Sequence, residues 1–447
     1  MVRAGAAVDA CEVRLWGHSI GAAYWDDAAQ LAAFEYHPDF RPSKIELAPL
    51  MMPLGERIYR FPELRRTSFH GLPGLLADSL PDDFGNAIID QWLIREGRDR
   101  AGFSPIERLC YIGQRGMGAL EFRPAIRNTT RGSVPVDLSA LTELAQHVLD
   151  LRAGLSVPLA AADSDNEKSL DDILRVGTSA GGARAKAVVA WNPQTGEMRS
   201  GQVAVPDGFE YWLLKFDGVS NREHGLVDPK GYGRIEYAYS LMARAAGIDM
   251  SSCQLLQENG RAHFMTRRFD RLATGEKLHM QSLYAMAHLD NSLAGAHSYE
   301  QAFDVASRLA LPASDNEELF RRMTFNVIAR NQDDHTKNIA YLMNQAGEWS
   351  LAPAFDVIYA YNPAGEWTSR HQMTINGRSD NFELADLLAV ASRYRVHDAG
   401  DIVGAVETAV AAWQDFADTA CVDEIVVTRI ARAHRSLKNQ GKKTLTV

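Results

Sequence analysis

One short segment of the chain combines residue types that together can transfer a phosphoryl group. Asp333 and Asn338 are separated by four residues, and Lys337 directly precedes the asparagine. A carboxylate can accept the proton of an attacking hydroxyl, while an asparagine amide can hold a magnesium ion. Both side chains must reach one phosphate from one short loop, which restricts their spacing. The segment therefore predicts a catalytic base at Asp333 and a metal ligand at Asn338.

A second acidic residue is expected to lie beside this loop. An apolar strand over 339–342 follows the loop, and a turn at Ala346 and Gly347 sends the chain back toward Asp356. Such a hairpin places Asp356 where a second magnesium ligand belongs, since magnesium prefers one or two carboxylates together with phosphate oxygens. The spacing from Asp to Asn is that of a protein kinase catalytic loop. Because this spacing is also common in ordinary loops, a kinase function needs support from the upstream segments.

Two upstream features are suited to the phosphates of a nucleotide. The glycine-rich stretch 177–183 lies between two predicted strands, and its backbone N–H groups can cradle phosphates. A plain hairpin turn is the alternative. No Gly-Lys-Ser/Thr follows, so the stretch is not a Walker A loop. Lys186, in the next strand, would reach a phosphate or else be a solvated charge at the strand edge.

Lys215 interrupts an otherwise apolar strand over 212–216, where an unpaired buried ammonium group would be costly. Protein kinases place such a strand lysine on the α- and β-phosphates and orient it with a helix glutamate. Glu236, at the start of the next predicted helix, is the candidate partner. The alternative is a lysine that extends to solvent and a glutamate favoured by the helix dipole.

The strand that ends at residues 267–270 predicts a hinge for the adenine ring. Its backbone groups would bind adenine and Asp270 would bind the ribose hydroxyls, with a salt-bridged strand end as the alternative. The triplet at 83–85, Asp-Phe-Gly, matches a kinase metal-binding motif in its letters. It precedes the catalytic loop, whereas kinases have it afterwards. We therefore interpret it as a turn into a helix.

The composition limits the classes of protein that this chain can be. Its 447 residues include 47 basic and 57 acidic side chains, which gives a net charge of −10 and argues against coating nucleic acid by charge alone. The hydrophobic fraction of 46% is enough for a substantial core. The four cysteines form no Cys-x-x-Cys pair, which suits a reducing compartment. Without a signal-type core or a run of about 18 apolar residues, we expect a cytoplasmic protein with no membrane partner.

The order of the predicted elements divides the chain into three parts. Residues 1–165 form a mixed α/β subdomain, and 166–275 form a portion like a kinase N-lobe, with the glycine-rich loop and the lysine strand. Residues 276–447 are mostly helical and carry the catalytic loop and Asp356. We therefore expect an α+β class: a bilobal protein-kinase-like fold with an N-terminal mixed α/β subdomain and a mostly helical C-terminal lobe.

Taken together, these segments resemble the HipA family of bacterial serine/threonine kinases, which are toxin components of toxin–antitoxin modules. The matching segments occur in the order found in the family, at 179–186, 212–216, 268–271, 333–338 and 352–356. Two further segments, 78–82 and 112–120, are similar to the first subdomain of the family. The resemblance therefore extends over most of the chain.

The resemblance implies a kinase that uses ATP and Mg²⁺ and phosphorylates a protein substrate, such as an aminoacyl-tRNA synthetase or another translation protein. It implies Asp333 as the catalytic base, Asn338 and Asp356 as metal ligands, and Lys215 on the ATP phosphates. The other nucleotide contacts that it implies are Ser179, Gly181, Gly182, Ala183, Arg184, Lys186, Arg267, Arg268, Phe269, Asp270, His335 and Lys337. Autophosphorylation would fall on Ser179 or on the adjacent Thr178.

The resemblance also implies a small helix-turn-helix antitoxin of the HipB type, with DNA bound only indirectly through it. Two residues depart from the family pattern or leave a role open. Arg267 stands where the family often has a glutamate, and Asp334 adds a carboxylate that would either compete for magnesium or face solvent. Two alternative functions remain: a small-molecule phosphotransferase with the same loop, and a catalytically silent nucleotide-binding co-repressor that acts with the antitoxin.

Overall fold

The computed structural model describes residues 8–126, 133, 135–152, 184–202, 204–219 and 230–437. The chain divides into two compact units. The first unit comprises Met1–Gly233, Cys253–Met280 and Met343–Gly347, and the second comprises Arg234–Ser252, Gln281–Leu342 and Glu348–Val447. The predicted glycine-rich loop, with Thr178, Ser179, Gly181, Gly182 and Ala183, lies outside the described residues, and so does the predicted boundary at residue 165.

The first unit begins with a four-stranded antiparallel sheet in the order β3-β2-β1-β4. Its strands are β1 (Ala10–Leu15), β2 (His18–Asp26), β3 (Leu31–Tyr36) and β4 (Leu120–Arg123). Cys11, Val13 and Leu15 alternate with less buried residues along β1, as expected for a strand with one face on the core. Trp16 and Gly17 join β1 to β2 with positive φ angles of 48° and 84°, the backbone of a type I′ hairpin turn.

Helices lie along the chain between β3 and the second sheet, and β4 lies between the fourth and the fifth of them. They are α1 (Arg66–Phe69), α2 (Gly74–Ala77), α3 (Asp83–Arg95), α4 (Pro105–Ile112) and α5 (Leu138–Arg152). Asp82 caps α3, because its carboxylate accepts a hydrogen bond of 2.7 Å from the Gly85 N–H. The triplet at 83–85 is thus the first turn of α3, which confirms its interpretation as a turn into a helix.

The second sheet of the first unit carries the predicted lysine strand at its centre. Its strands are β5 (Lys186–Trp191), β6 (Met198–Ser200), β7 (Glu210–Lys215), β8 (Cys253–Glu258) and β9 (Arg261–Arg267). Their order is β6-β5-β7-β9-β8, with antiparallel neighbours throughout. Val189 and Leu214 of this sheet share one buried core with Phe84 of α3 and Val148 of α5. Burial of this shared apolar surface holds the helices to the sheet.

The rest of the chain is mostly helical. Its helices are α6 (Tyr232–Ala245), α7 (Leu283–Ala287), α8 (Tyr299–Arg308), α9 (Ala313–Ile328), α10 (Leu384–Arg393), α11 (Ala399–Ala411), α12 (Trp413–Thr419) and α13 (Glu424–Ala433). The strands among them are β10 (His279–Ser282), β11 (His297–Ser298), β12 (Ala340–Met343), β13 (Trp349–Leu351) and β14 (Met373–Thr374). The predicted α+β class with a mostly helical C-terminal part is confirmed. No helix within the described residues is long and apolar enough to span a bilayer.

A buried ion-pair cluster holds the end of β9 to the loop that precedes β4. Arg268 donates to both oxygens of Asp270 at 2.9 and 2.7 Å, and Arg271 donates to Asp270 at 2.8 Å. The Gly118 N–H donates to the same carboxylate at 2.6 Å, while both arginines donate to the Gly116 carbonyl. Burial alone would raise the pKa of Asp270, but the charges of Arg268 and Arg271 outweigh burial and hold this pKa below its usual range.

We expect Asp270→Asn to lower the free energy of unfolding by about 3 to 5 kcal/mol, because it leaves buried guanidinium groups without their shared counter-charge. Urea unfolding followed by circular dichroism measures the loss. Since the pKa of Asp270 is lowered in the folded state, its contribution is complete above the pKa of the unfolded carboxyl and is lost as the pH falls through the folded pKa. The deficit of the variant should therefore shrink below about pH 4.

Asp39→Asn is the matched control for this experiment, since the Asp39 side chain is 92% exposed. It should change the free energy of unfolding by less than about 0.5 kcal/mol. An equal loss in both variants, or a deficit of Asp270→Asn that persists at low pH, would contradict the role assigned to the cluster.

Candidate active site

The loop of residues 330–338 follows α9 and contains the predicted base and metal ligand. Hydrogen bonds to other parts of the second unit hold it at both ends. The Gln332 N–H donates to the Ala360 carbonyl at 3.1 Å, and the Thr336 hydroxyl donates to the Leu289 carbonyl at 2.8 Å. A single 3₁₀ turn closes the loop just before β12. The functional side chains therefore project from a backbone whose position is set by its neighbours.

Asp333 has one carboxylate oxygen held and the other open. Its side chain is 43% exposed. The indole N–H of Trp367 donates to Oδ1 at 2.6 Å, and His335 Nε2 lies 4.0 Å from the same oxygen. Among the residues that the structure describes, Oδ2 has no hydrogen-bond or ion-pair partner. A carboxylate in this state is suited to accept a proton from an incoming hydroxyl.

Asn338 is oriented by the backbone of the same loop. Its side-chain Nδ2 donates to the Asp333 carbonyl at 2.8 Å. Because the amide nitrogen is used in this way, the amide oxygen is left as the group that can bind a cation. Asn338 is partly exposed, so this oxygen is compatible with a metal site.

Asp356 is held in an uncommon backbone conformation close to this loop. Its φ angle is +52°, in the left-handed region that non-glycine residues rarely adopt. The Asn331 side chain donates to the Asp356 carbonyl at 3.5 Å, which connects this strained residue to the loop. Such strain persists only where the surrounding structure enforces it, and it concentrates at functional sites.

The donors of Asn338 and Asp356 suit magnesium in their chemistry. One carboxylate and one amide oxygen fit an ion that completes its shell with phosphate oxygens and water. Within the described part of the chain, no group of three or more His, Cys, Asp or Glu side chains is placed to hold a metal by itself. A cation bound here would therefore depend on a nucleotide for part of its coordination.

Asp334 has a structural role, whereas the sequence predicted that it would either compete for magnesium or face solvent. It is only 3% exposed, so it does not face solvent. The Tyr299 hydroxyl donates to Oδ2 at 2.8 Å, His371 Nδ1 lies 2.7 Å from the same oxygen, and the Gln372 N–H donates to Oδ1 at 2.8 Å. With both oxygens engaged, Asp334 does not compete for magnesium. It connects the 330–338 loop to α8 and to the residues just before β14.

The other two loop residues expected to contact the nucleotide occupy defined positions. The Lys337 ammonium lies 4.4 Å from the centre of the Tyr284 ring, at the distance of a cation–π contact. His335 lies largely buried, with its Nε2 facing Asp333 Oδ1. Both side chains are partly exposed, so both remain candidates for nucleotide contacts.

In the first unit, Lys186 and Lys215 stand directly opposite each other on β5 and β7. Like charges at opposed positions destabilise a sheet unless an anion offsets them. Lys186 is only 2% exposed, and its Nζ lies 3.0 Å from Asp82 Oδ2 as a buried ion pair. Burial raises the pKa of Asp82, and the Lys186 charge offsets only part of that effect. The solvated alternative for Lys186 is therefore wrong.

Lys215 and Glu236 each have a defined environment in their own unit. The Lys215 ammonium lies 5.8 Å from the centre of the Phe264 ring, and its side chain is partly exposed. Glu236 is buried in α6 and belongs to the second unit. The phosphate role of Lys215 stays a prediction, as does its pairing with Glu236.

Two arginines of the first unit remain candidates for contacts with a nucleotide. Arg184 stacks on Tyr232, with its guanidinium carbon 3.4 Å from the ring centre. Arg267 is 40% exposed and pairs with Glu210 at 3.4 Å. The charge reversal at Arg267 relative to the family is thus offset within the protein itself.

The hinge prediction needs a correction at Asp270. Arg268 and Asp270 are both buried, and both Asp270 oxygens are occupied by the ion-pair cluster. The salt-bridged strand end, named as the alternative, is the arrangement in this structure. A ribose contact through the Asp270 carboxylate is therefore not supported. Backbone contacts at 267–269 remain open, because Arg267 and Phe269 are partly exposed.

Sequence reasoning missed several residues that hold these groups in place. They are Asp82, Tyr299, Trp367, His371 and Gln372. The signal for Asp82 was present, since it ends the family-like segment 78–82, but that segment had no assigned role. No sequence spacing pointed to the other four, because their partners in the loop are distant along the chain.

Two family models match the chain. The HipA N-terminal domain matches residues 11–123, and the HipA-like C-terminal domain matches residues 178–413, which is more than half of the chain. The protein belongs to the HipA family. The resemblance inferred from the motifs is confirmed.

Individual proteins are similar to this chain to different degrees. The putative kinase Y4mE of Sinorhizobium fredii is 26% identical over 126 residues, which cover 26% of this chain and 30% of that protein. A solved structure of the Shewanella oneidensis MR-1 toxin–antitoxin system, with HipA, HipB and operator DNA, matches at a TM-score of 0.63 with 16% identity and covers 94% of each chain. This likeness confirms the predicted fold class. The Helicobacter pylori proinflammatory kinase CtkA matches at a TM-score of only 0.32, with 12% identity over 50% of this chain and 92% of that one.

We expect Asp334→Asn to lower the free energy of unfolding by about 2 kcal/mol, because an amide nitrogen would face donors that now share a carboxylate. Urea denaturation of the purified protein measures this. Asp333→Asn is the matched control at the adjacent position, and its exposed side chain should make the change smaller than about 0.5 kcal/mol. Equal losses in the two variants would contradict the structural role of Asp334.

Proposed function

We propose that this protein is an ATP-dependent serine/threonine protein kinase of the HipA toxin type. It would transfer the γ-phosphoryl group of Mg-ATP to a protein hydroxyl. The observation that carries the proposal is the state of Asp333, a partly exposed carboxylate with one oxygen held and the other open. In the same loop, Asn338 leaves its amide oxygen for a cation. This pairing is the one that phosphoryl transfer to a hydroxyl requires.

Each step of the reaction has a residue suited to it. Asp333 Oδ2 accepts the proton of the acceptor hydroxyl while the oxygen of that hydroxyl forms a bond to the γ-phosphorus. The bond between that phosphorus and the β–γ bridging oxygen breaks, and ADP leaves with the electron pair. Asn338 and Asp356 would hold magnesium, which neutralises charge on the phosphates when it is bound. Lys215 would bind the phosphates, so that catalysis comes from positioning and charge stabilisation.

The finer parts of the proposal rest on family membership. They include a translation protein, such as an aminoacyl-tRNA synthetase, as the substrate and a cytoplasmic location. They also include a helix-turn-helix antitoxin of the HipB type, with DNA reached only through that partner. The solved Shewanella complex contains HipA, HipB and operator DNA together, which favours such a partner for this chain. The net charge of −10 is consistent with DNA contacts made mainly by the partner.

We expect the purified protein to incorporate phosphate from labelled Mg-ATP on itself, and Asp333→Asn to reduce the rate by at least about 100-fold. The loss follows because an amide cannot accept the hydroxyl proton. Mass spectrometry of Ser179→Ala and Thr178→Ala variants identifies the modified residue. Asp398→Asn, at an exposed position of the second unit, is the control that should retain the activity.

The same labelling separates the proposal from its alternatives. If label enters metabolites but none of the proteins tested as acceptors, the result would favour a small-molecule phosphotransferase. No label with any metal or nucleotide would favour a catalytically silent co-repressor. A phosphoproteome comparison between cells with the intact protein and cells with Asp333→Asn would identify the substrate.

We expect Asp356→Asn to raise the magnesium concentration needed for half-maximal activity by at least about tenfold, because it removes the only carboxylate proposed for the metal. Titration of Mg²⁺ at saturating ATP measures this shift. Calorimetry of Mg²⁺ with a non-hydrolysable ATP analogue gives an independent reading of the same loss. An unchanged requirement for magnesium would contradict the assignment of Asp356.

A further inference from the structure

Trp367 contacts the proposed catalytic base although it lies far from it in sequence. It stands in the segment that follows Asp356 along the chain. There, the Asn362 N–H donates to the Thr368 carbonyl at 3.2 Å and closes a short loop. From this loop the Trp367 indole N–H donates to Asp333 Oδ1 at 2.6 Å. An indole nitrogen is a donor only, so its partner in this contact must be an acceptor.

The position of Trp367 is itself set by the loop that it contacts. The Gln372 side chain donates both to the Trp367 carbonyl and, at 3.3 Å, to the Gln332 carbonyl. The Gln372 N–H and His371 bind Asp334 from the same short segment. The residues over 367–372 therefore hold both adjacent acids of the loop, Asp334 from within the core and Asp333 from its exposed side.

The two contacts differ in what they leave free. Asp334 has both oxygens engaged, whereas Trp367 occupies only Oδ1 of Asp333. A partly exposed carboxylate without a partner would rotate about its last torsion and offer its oxygens in many directions. A hydrogen bond to one oxygen restricts that rotation and keeps the other oxygen in one place.

We propose that Trp367 is a positioning residue that fixes Asp333 through Oδ1 and thereby leaves Oδ2 for the acceptor hydroxyl. The inference rests on the proposed kinase function, because it assigns Trp367 to the same site. Trp367 acts only through Asp333, and its effect is on the geometry of the base. Holding a reacting group within a fraction of an ångström is a large part of enzymatic rate enhancement.

Trp367→Phe tests this proposal, because it keeps an aromatic ring and removes the N–H donor. We expect kcat for phosphate transfer to fall by about 10- to 100-fold, with KM for ATP unchanged within about twofold. The melting temperature should stay close to that of the parent protein. In the Asp333→Asn background the same substitution should cause no further loss of kcat, since both changes affect one group.

Trp413→Phe is the matched control, because Trp413 is buried in the second unit and donates its indole N–H to the Val427 carbonyl at 3.2 Å. It should lower the melting temperature and leave kcat unchanged, the reverse of the pattern expected for Trp367→Phe. An unchanged kcat in Trp367→Phe would overturn the proposal. A raised kcat would also overturn it and would indicate that the indole blocks Asp333.

A measurement independent of activity keeps the contact testable. The chain has 8 tryptophans, so a ¹H–¹⁵N spectrum of the indole groups is simple, and Trp367→Phe identifies the Trp367 signal by its loss. Asp333→Ala should move that signal upfield, because the hydrogen bond to the carboxylate disappears. If the signal does not move, the contact is absent in solution and the proposal fails.

Failure of the positioning role and failure of the kinase function give different results. If the parent protein transfers phosphate and Asp333→Asn does not, but Trp367→Phe matches the parent, only the positioning role is wrong. If the parent protein transfers no phosphate to any acceptor, the kinase function fails and the positioning role fails with it.

Discussion

The buried carboxylate of Asp334 is the interaction on which the proposed active site depends. A charge removed from water is tolerated only when hydrogen bonds replace its hydration. Tyr299, His371 and Gln372 supply those contacts from two separate parts of the second unit. These hydrogen bonds therefore hold together the 330–338 loop, α8 and the residues just before β14. Asp333, the preceding residue along the backbone, is thereby held at a partly exposed position with Trp367 beside it.

The first unit also contains two buried carboxylates whose charge is offset by neighbouring groups. Asp270 and Asp82 are buried carboxylates, and each is paired with a basic side chain, Arg268 or Lys186, that the family motifs predict to contact a nucleotide. Arg268 and Lys186 hold the sheet to the helices and loops packed around it. The family motifs in this unit therefore mark, in part, the assembly of its scaffold. A residue that matches a family motif need not contact a ligand, because buried ion pairs and ligand-binding groups use the same residue types.

The elements that could be predicted were those whose determinants are local. The hinge strand and the lysine strand have clear apolar patterns, and both form β-strands in one sheet. Asp270 shows where this reasoning stopped. Its residue type allows ribose binding or a salt bridge equally. The arginines that pair with it are its neighbours in sequence, but the Gly118 N–H that also donates to it lies 152 residues away along the chain. Lys186 shows the same limit, because this lysine is buried and pairs with Asp82, the residue that caps α3.

By itself, the sequence determined the family, the order of the motifs and the spacing of Asp333 and Asn338, because these depend on residues that are neighbours along the backbone. Tertiary structure alone decided which of two adjacent acids is open and which is buried. Asp333 and Asp334 are the same residue type at consecutive positions, so no composition or period distinguishes them. Their difference comes from donors that lie 34 or more residues away along the chain and reach the loop only after folding.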